Sequence, residues 1–389
     1  MSRFEKLALA FLVMVAIALW AAVGWSTYQD AWKAPLGPEL ALPSLQAPTL
    51  EPAATFSSPT RRAPVFNITP HPVKATRTPY IEKIPLCGGP QVMSILAIGS
   101  DTRAQGYLYG LSDVTRLVRV DFVTPRVTVL EFPRDIWVEI PGIADHYGIT
   151  HGKINQAYLY GNPGMGYYDG PGQGPGLLAR TLELNFGAHP DHYIAANMQT
   201  FVHLIDVVGG VDVTLPYSVD ARKPDQQKRY DLYFSPGTHH LTGEQALMLA
   251  RIREHSTFGR ADQQNRVLCA ARDALLNPSN LPQIPEIIDT FKKAIQTDLS
   301  PEQISQLACL VPKLKSGNIS FTTFPRELLT EARTYDIGVK KDVYIFKADF
   351  NVLRLYVSAF NSGNWPDPNP SAAQIGTPRP PGEGGFSCP

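Results

Sequence analysis

The sequence predicts an α/β sandwich carried behind one membrane-spanning helix. Three observations support this: β-rich apolar runs alternate with segments of helical period, one N-terminal stretch is long and uncharged enough to cross a bilayer, and proline gathers in two flanks. Arg3 and Lys6 precede a charge-free run of 19 residues, Leu7 to Trp25. Basic residues before a span stay on the cytoplasmic side, so this single pass places the N-terminus inside the cell and the rest of the chain outside. A cleaved signal peptide ending near Ala21-Ala22-Val23 is the competing reading, although the run exceeds an ordinary signal core.

Residues 27–85 are a Pro-rich extracellular linker, with 12 prolines between positions 27 and 90, expected to hold the folded part off the membrane. The folded domain is assigned to 86–312, with 313–360 as a C-terminal extension packed on it. A disordered Pro/Gly-rich tail follows over 361–389, with 7 prolines. Within the domain, Val92–Ile98, Thr115–Phe122 and Arg126–Phe132 are strands, the last stopped by Pro133. Met198, Phe201, Val202 and Ile205 mark one face of a helix, which Gly209-Gly210 turns into the strand Val211–Leu215. Thr242 with Gln245, and Ser300 with Gln303, are capping boxes opening two more helices. Ile319–Phe324 supplies another strand and the stretch from Asp349 to Phe360 a last helix.

The chain has 389 residues with 35 basic against 35 acidic side chains, which argues against a nucleic-acid binder. An apolar fraction of 44% can fill a real core. The four cysteines, Cys87, Cys269, Cys309 and Cys388, form no CxxC and no zinc cluster. Outside the cytoplasm they can form disulfides; Cys269 with Cys309 and Cys87 with Cys388 is one of three connectivities. There is no phosphate-binding GxxxxGK[ST], no GxSxG and no HExxH, and the glycine-rich stretch Gly161–Gly176 is expected to be a surface loop. His239-His240 is expected to be structural.

Three strand boundaries carry carboxylates: Asp101 after the first strand, Asp113 before the second and Asp135 after the third. Ligands of open α/β sheets gather at strand ends, and two such carboxylates suit a hard cation such as Mg²⁺, although aspartates also cap turns. The second cluster is basic: Arg251, Arg253 and Arg260. Residues two apart on a helix do not face one target, so Arg251 and Arg253 act together only if the helix ends between them, as His255 to Gly259 suggests. Guanidinium groups beside carboxylates and a metal suit a pyrophosphate, while a solvated, ion-paired face is the plainer use of such charges.

The ordered set Gly99-Ser100-Asp101-Thr102-Arg103, Ser112-Asp113, Pro133-Arg134-Asp135, Lys153-Ile154-Asn155, Gly209 to Asp212, Leu241 to Ala246, Ala250 to Arg253 and Gly259-Arg260 resembles the LytR-CpsA-Psr family over residues 92–275. The resemblance implies an α/β/α sandwich with a central mixed β-sheet and an apolar lipid-binding tunnel. It also implies a Mg²⁺-dependent phosphotransferase that attaches a glycopolymer from a polyprenyl pyrophosphate carrier to peptidoglycan. Carried over by position, Asp101 and Asp113 hold Mg²⁺, and Arg103, Arg134, Arg251, Arg253 and Arg260 hold the pyrophosphate. Asp135 orients Arg134 or acts on the incoming hydroxyl, while Lys153, Asn155 and Gln264 border the substrate. Where the family commonly has an Asp and an Arg, this chain has Thr257 and Gln263. A pyrophosphatase and a non-catalytic, membrane-anchored binding protein regulating wall assembly remain the alternatives.

Overall fold

The computed structural model describes residues 14, 20, 24–28, 30–42, 84–102, 107–222, 228–252, 257–277, 295–315, 317–366 and 386–388. Most of the apolar run 7–25 lies outside them. Among the described residues no helix is long and apolar enough to cross a membrane.

A seven-stranded mixed sheet organises the chain. β1 (Val92–Ser100) pairs antiparallel with β2 (Ser112–Asp121), and β2 antiparallel with β3 (Arg126–Glu131). β1 pairs parallel with β6 (His192–Asn197), which is edged by antiparallel β11 (Ile295–Thr297). On the other side β12 (Ile319–Thr323) runs parallel to β3, and β15 (Phe386–Ser387) closes the edge. Small pairs surround the sheet: β4 (Trp137–Glu139) with β5 (His151–Lys153), β7 (Val211–Leu215) with β10 (Gly237–Leu241), β8 (Val219–Asp220) with β9 (Tyr233–Phe234), and the hairpin β13 (Leu329–Asp336) with β14 (Lys341–Ala348).

Side-chain alternation separates the two faces. Leu96, Ile98, Leu117 and Leu130 point into the main core, which is covered by α1 (Ile154–Gly161), α2 (Gln173–Phe186) and α7 (Phe350–Asn361). The opposite face meets α6 (Pro301–Leu310) through Met93, Ile95 and Val120. Elsewhere it lies under α3 (Met198–Val207), α4 (Gly243–Arg251) and α5 (Thr257–Leu276). Both expected capping boxes form: Thr242 and Ser300 each accept from the N–H three residues on.

Several expectations need correction. β2 begins at Ser112 rather than Thr115, because a bulge at Gly99/Ser100 shifts the pairing so that Ser100 meets Ser112, and Asp113 therefore lies inside a strand. Of the three open connectivities the protein forms Cys87–Cys309 with Cys269–Cys388, since α6 lies over the start of the domain and α5 over β12. Two pieces of the expected flanks lie on the fold. Leu40 is 2% exposed within the main core, and Leu36 N–H donates to Leu299 O at 3.2 Å. At the other end, β15 and the buried Cys388 return to the sheet.

Candidate functional site

The candidate site forms where β1, β2 and β3 end and α1 begins. Asp101 follows β1 directly; its N–H donates to Leu111 O at 3.0 Å and its Oδ1 accepts from Leu111 N–H at 2.6 Å. This fixes the carboxylate against the loop that returns to β2. The closure depends on Gly110, at φ +143°, because a Cβ there would collide with the Thr102 and Ser100 hydroxyls.

From Asp113 a chain of opposite charges runs along the strand ends. Arg134 Nη1 pairs with Asp113 Oδ1, Arg134 Nε lies 3.6 Å from Asp135 Oδ2, and Asp135 Oδ1 accepts from Lys153 Nζ at 2.8 Å. All four side chains are largely withdrawn from solvent. Pro133 ends β3 and presents Arg134 and Asp135. Lys153 stands where β5 passes into α1. Asn155, 2% exposed, carries a buried Oδ1 without a hydrogen-bond partner, and its carbonyl accepts weakly from Ser112 Oγ at 3.5 Å. Arg260 Nη2 donates to Asp113 O at 3.3 Å.

On the sheet face under α3, α4 and α5 lies a cavity of about 260 Å³. Its wall is mostly apolar, with Ala97, Ile194, Phe201 and Val267 among its residues, and its polar side chains include Asp113, Arg116, Asn197, Arg251, Arg260 and Gln264. A larger hollow of about 820 Å³ at the opposite ends of β1 and β6 contains none of the candidate residues. The fold thus brings Asp101, Asp113, Arg134, Asp135, Lys153 and Asn155 to one end of the sheet, and Arg251, Arg260 and Gln264 to the adjoining cavity. Arg103 and Arg253 lie outside the described residues. α4 ends at Arg251 and Ile252 is extended, the break that a shared role for Arg251 and Arg253 requires.

Two side chains that the sequence reading missed belong here. Arg116, 2% exposed, pairs with Glu131 at 2.7 Å and donates to Gln264 Oε1 at 3.1 Å, while Gln264 Nε2 donates to Ala250 O at 3.2 Å. A charge within a central strand was the available signal. Tyr344 on β14 stands near Asp135; desolvation, then the Glu331 carboxylate, then Asp135, push its hydroxyl pKa up. Gln263 does not line the cavity: its amide donates to Tyr217 Oη at 3.3 Å. His239 and His240 are bonded locally, to Ser235 O, Asp212 and Gly209 O, and the Asp212 carboxylate raises the His240 pKa.

Among the described residues no group of three or more His, Cys, Asp or Glu could cage a metal. Mg²⁺, however, commonly takes only one or two protein carboxylates and completes its shell with waters and substrate phosphates. Asp101, directly after β1, and Asp113, the second residue of the adjoining β2, are by chemistry such a donor set, with Asp113 already sharing its carboxylate with Arg134.

Comparisons with known proteins agree with this architecture. The polyisoprenyl-teichoic acid–peptidoglycan teichoic acid transferase TagV of Bacillus subtilis is 33% identical over 211 residues, 53% of this chain and 49% of TagV. The regulatory protein MsrR of Staphylococcus aureus is 28% identical over 216 residues, 55% of this chain and 58% of MsrR. The chain thus spans about half the length of the curated relatives it matches. The crystal structure of B. subtilis TagV superposes with a TM-score of 0.52 at 26% identity, over 70% of this chain and 98% of that one. The profile of the LytR_cpsA_psr family matches residues 82–349, and the chain belongs to that family.

Proposed function

We propose that this protein is a phosphotransferase of the cell surface that moves a glycopolymer from a polyprenyl pyrophosphate carrier to a peptidoglycan hydroxyl. The observation that carries the reading is the charge chain Asp113–Arg134–Asp135–Lys153 beside an apolar cavity that shares Asp113 with it and holds Arg260 against the Asp113 carbonyl. A ligand with a hydrocarbon tail and an anionic head suits both halves. The name of the TagV relative supports the donor and acceptor classes.

In this reading the prenyl tail lies in the cavity, and Arg134, Arg251 and Arg260 hold the pyrophosphate oxygens, a role that the family resemblance also implies for Arg103 and Arg253. Phosphoryl transfer asks the protein mainly for position and charge neutralisation. The acceptor oxygen attacks the phosphorus that bears the glycan, the P–O–P anhydride opens, and polyprenyl monophosphate leaves as a phosphodiester forms. Lys153 holds Asp135 in place, and Asp135 either orients Arg134 or takes the acceptor's proton. Mg²⁺ held by Asp101 and Asp113 would neutralise charge developing on the phosphates. The uncharged run 7–25, continued by the ring ladder of exposed Trp25 and Tyr28 and half-buried Trp32, would keep the domain at the outer membrane face.

The test incubates the full chain with a polyprenyl pyrophosphate oligosaccharide and a muropeptide, with and without Mg²⁺, and follows products by mass spectrometry. Metal-dependent glycan on the muropeptide, with polyprenyl monophosphate, is expected. Free phospho-glycan would make the protein a pyrophosphatase. Bound but unchanged lipid would make it a binding regulator, the class that the name of the MsrR relative suggests.

A further inference from the structure

Beside Asp101, on the side of the sheet away from the cavity, the surface carries an arc of exposed rings. Tyr109, 56% exposed, belongs to the loop closed onto Thr102, and its ring covers Gly164. Gly164 N–H in turn donates to Leu108 O at 3.0 Å. The glycine-rich loop continues to Tyr167, which stacks on His146 at 4.7 Å between centroids and meets Tyr147 edge-on at 6.1 Å. Tyr147 is 70% exposed. Tyr167 also touches Tyr160 at 5.8 Å, and the Tyr160 hydroxyl abuts Gly338 at the tip of the β13–β14 hairpin. The tip also exposes Ile337 and Val339, and Tyr335, 59% exposed, stands on the strand that leads to it.

The hairpin end of the arc is fastened to the candidate site by two hydrogen bonds. Gln156, one turn along α1 from Lys153, donates to Asp336 Oδ2 at 2.7 Å, and Phe346 N–H donates to Asp135 O at 2.9 Å. It is therefore a built rim, held in register with Asp135, rather than scattered surface apolar groups.

We propose that this rim binds the glycan strand of the peptidoglycan acceptor; the inference rests on the transferase reading and names where its second substrate docks. Two arguments select that occupant. Tyrosines that present a ring face and a hydroxyl suit sugar rings, which offer C–H faces and hydroxyl edges. The charges at the hairpin tip balance, Lys340 and Lys341 standing against Asp336 and Asp342, so nothing there selects a polyanion. An uncharged sugar backbone fits better than an anionic glycopolymer. The second argument is geometric. In-line displacement places the attacking and leaving oxygens on opposite sides of phosphorus. The cavity for the leaving polyprenyl phosphate lies on the Ala97 and Arg116 face, whereas Tyr160 and Tyr167 belong to the main core face, so an acceptor on the rim approaches from the opposite side.

The test measures binding of peptide-free glycan strands, prepared by amidase digestion of sacculi with the freed lactyl carboxylates then converted to amides so that the strand is uncharged, to the full chain in detergent. The variants are Tyr147→Ala, Tyr335→Ala and the pair, at positions exposed enough for the fold to tolerate the change. Each single change should weaken strand binding roughly threefold to tenfold and the pair by more, from the usual worth of one aromatic contact. Affinity for a polyprenyl diphosphate probe should stay within twofold. Strand affinity unchanged in the pair, or no strand binding by the unaltered protein, overturns the proposal. A loss confined to lipid-linked saccharide would assign the rim to the donor glycan and equally overturn it. The transferase reading fails separately: strand binding lost in the pair, with no transfer by the unaltered protein, leaves the rim standing without that reading.

Discussion

Arg134 is held by two carboxylates, Asp113 and Asp135, so its loss acts twice: it removes the cation proposed to hold phosphate and leaves Asp113 without its partner. Arg134→Ala is expected to lower transfer by about a hundredfold, the scale seen when one preorganised charge-stabilising group is removed. Product formation at saturating donor measures this, and activity within threefold of the parent would remove Arg134 from the machinery. Arg116 makes a different case because it is buried. Arg116→Ala strands Glu131 and frees Gln264, and should cost about 3 kcal/mol in urea unfolding. Replacing both partners, Arg116→Met with Glu131→Leu, should recover most of that stability; no recovery would show that Arg116 stabilises through Gln264 or the Phe321 ring instead. The sequence made Asp113, Arg134, Asp135 and Lys153 legible as separate points in an ordered motif. Their joining into one ion chain was not legible, because contacts across intervals of about twenty residues depend on how strand ends meet. Arg116 was missed because strand alternation reads a mid-strand arginine as solvent-facing, whereas the layer of α5 buries it.

At the scale of elements, most boundaries followed from local physics: proline stops β3, the two capping boxes open α4 and α6, and helical spacing marks α3. β2 was placed three residues late because Ser112-Asp113-Val114 lacks β-rich alternation, and the bulge opposite Gly99 is a tertiary choice. Disulfide partners were equally beyond reach, since four half-cystines give no local signal of which helix crosses which strand. Cys269–Cys388 closes a sequence interval of 119 residues and fastens β15 to the sheet. Cys269→Ser with Cys388→Ser is expected to lower stability by about 4 kcal/mol and to release residues 386–388. Denaturant unfolding together with hydrogen exchange at Cys388 N–H, which donates to Ile319 O, checks both effects. Undiminished protection at that amide would mean that strand pairing alone holds the tail.

For the whole molecule, the chain before the domain matters more than its proline content suggests. A spacer would leave residues 34–42 in solvent, yet Leu40 fills the main core beside α2, and Leu36 continues the hydrogen bonding at Leu299. Composition could not reveal this, because proline-rich sequence describes how a free chain behaves, not where one leucine finds a slot. Gly37 is part of the fit: a Cβ there would stand 2.7 Å from Thr297 O, which is backbone and cannot turn aside. The segment therefore fixes the domain to a point a few residues beyond Trp32 in sequence, short of the long linker. Leu40→Ala should cost about 3 kcal/mol, as other buried leucine truncations do, lowering the unfolding midpoint of a domain this size by roughly 6 to 12 °C. Gly37→Val should destabilise by the same route, and both changes should speed exchange of the Leu36 amide. If either variant melts with the parent while that amide exchanges freely in both, the segment is a tether lying on the surface. If both destabilise together, residues 34–42 are part of the domain, and the proposed anchor is joined to it by the short stretch before Ala34 rather than by the long proline-rich linker.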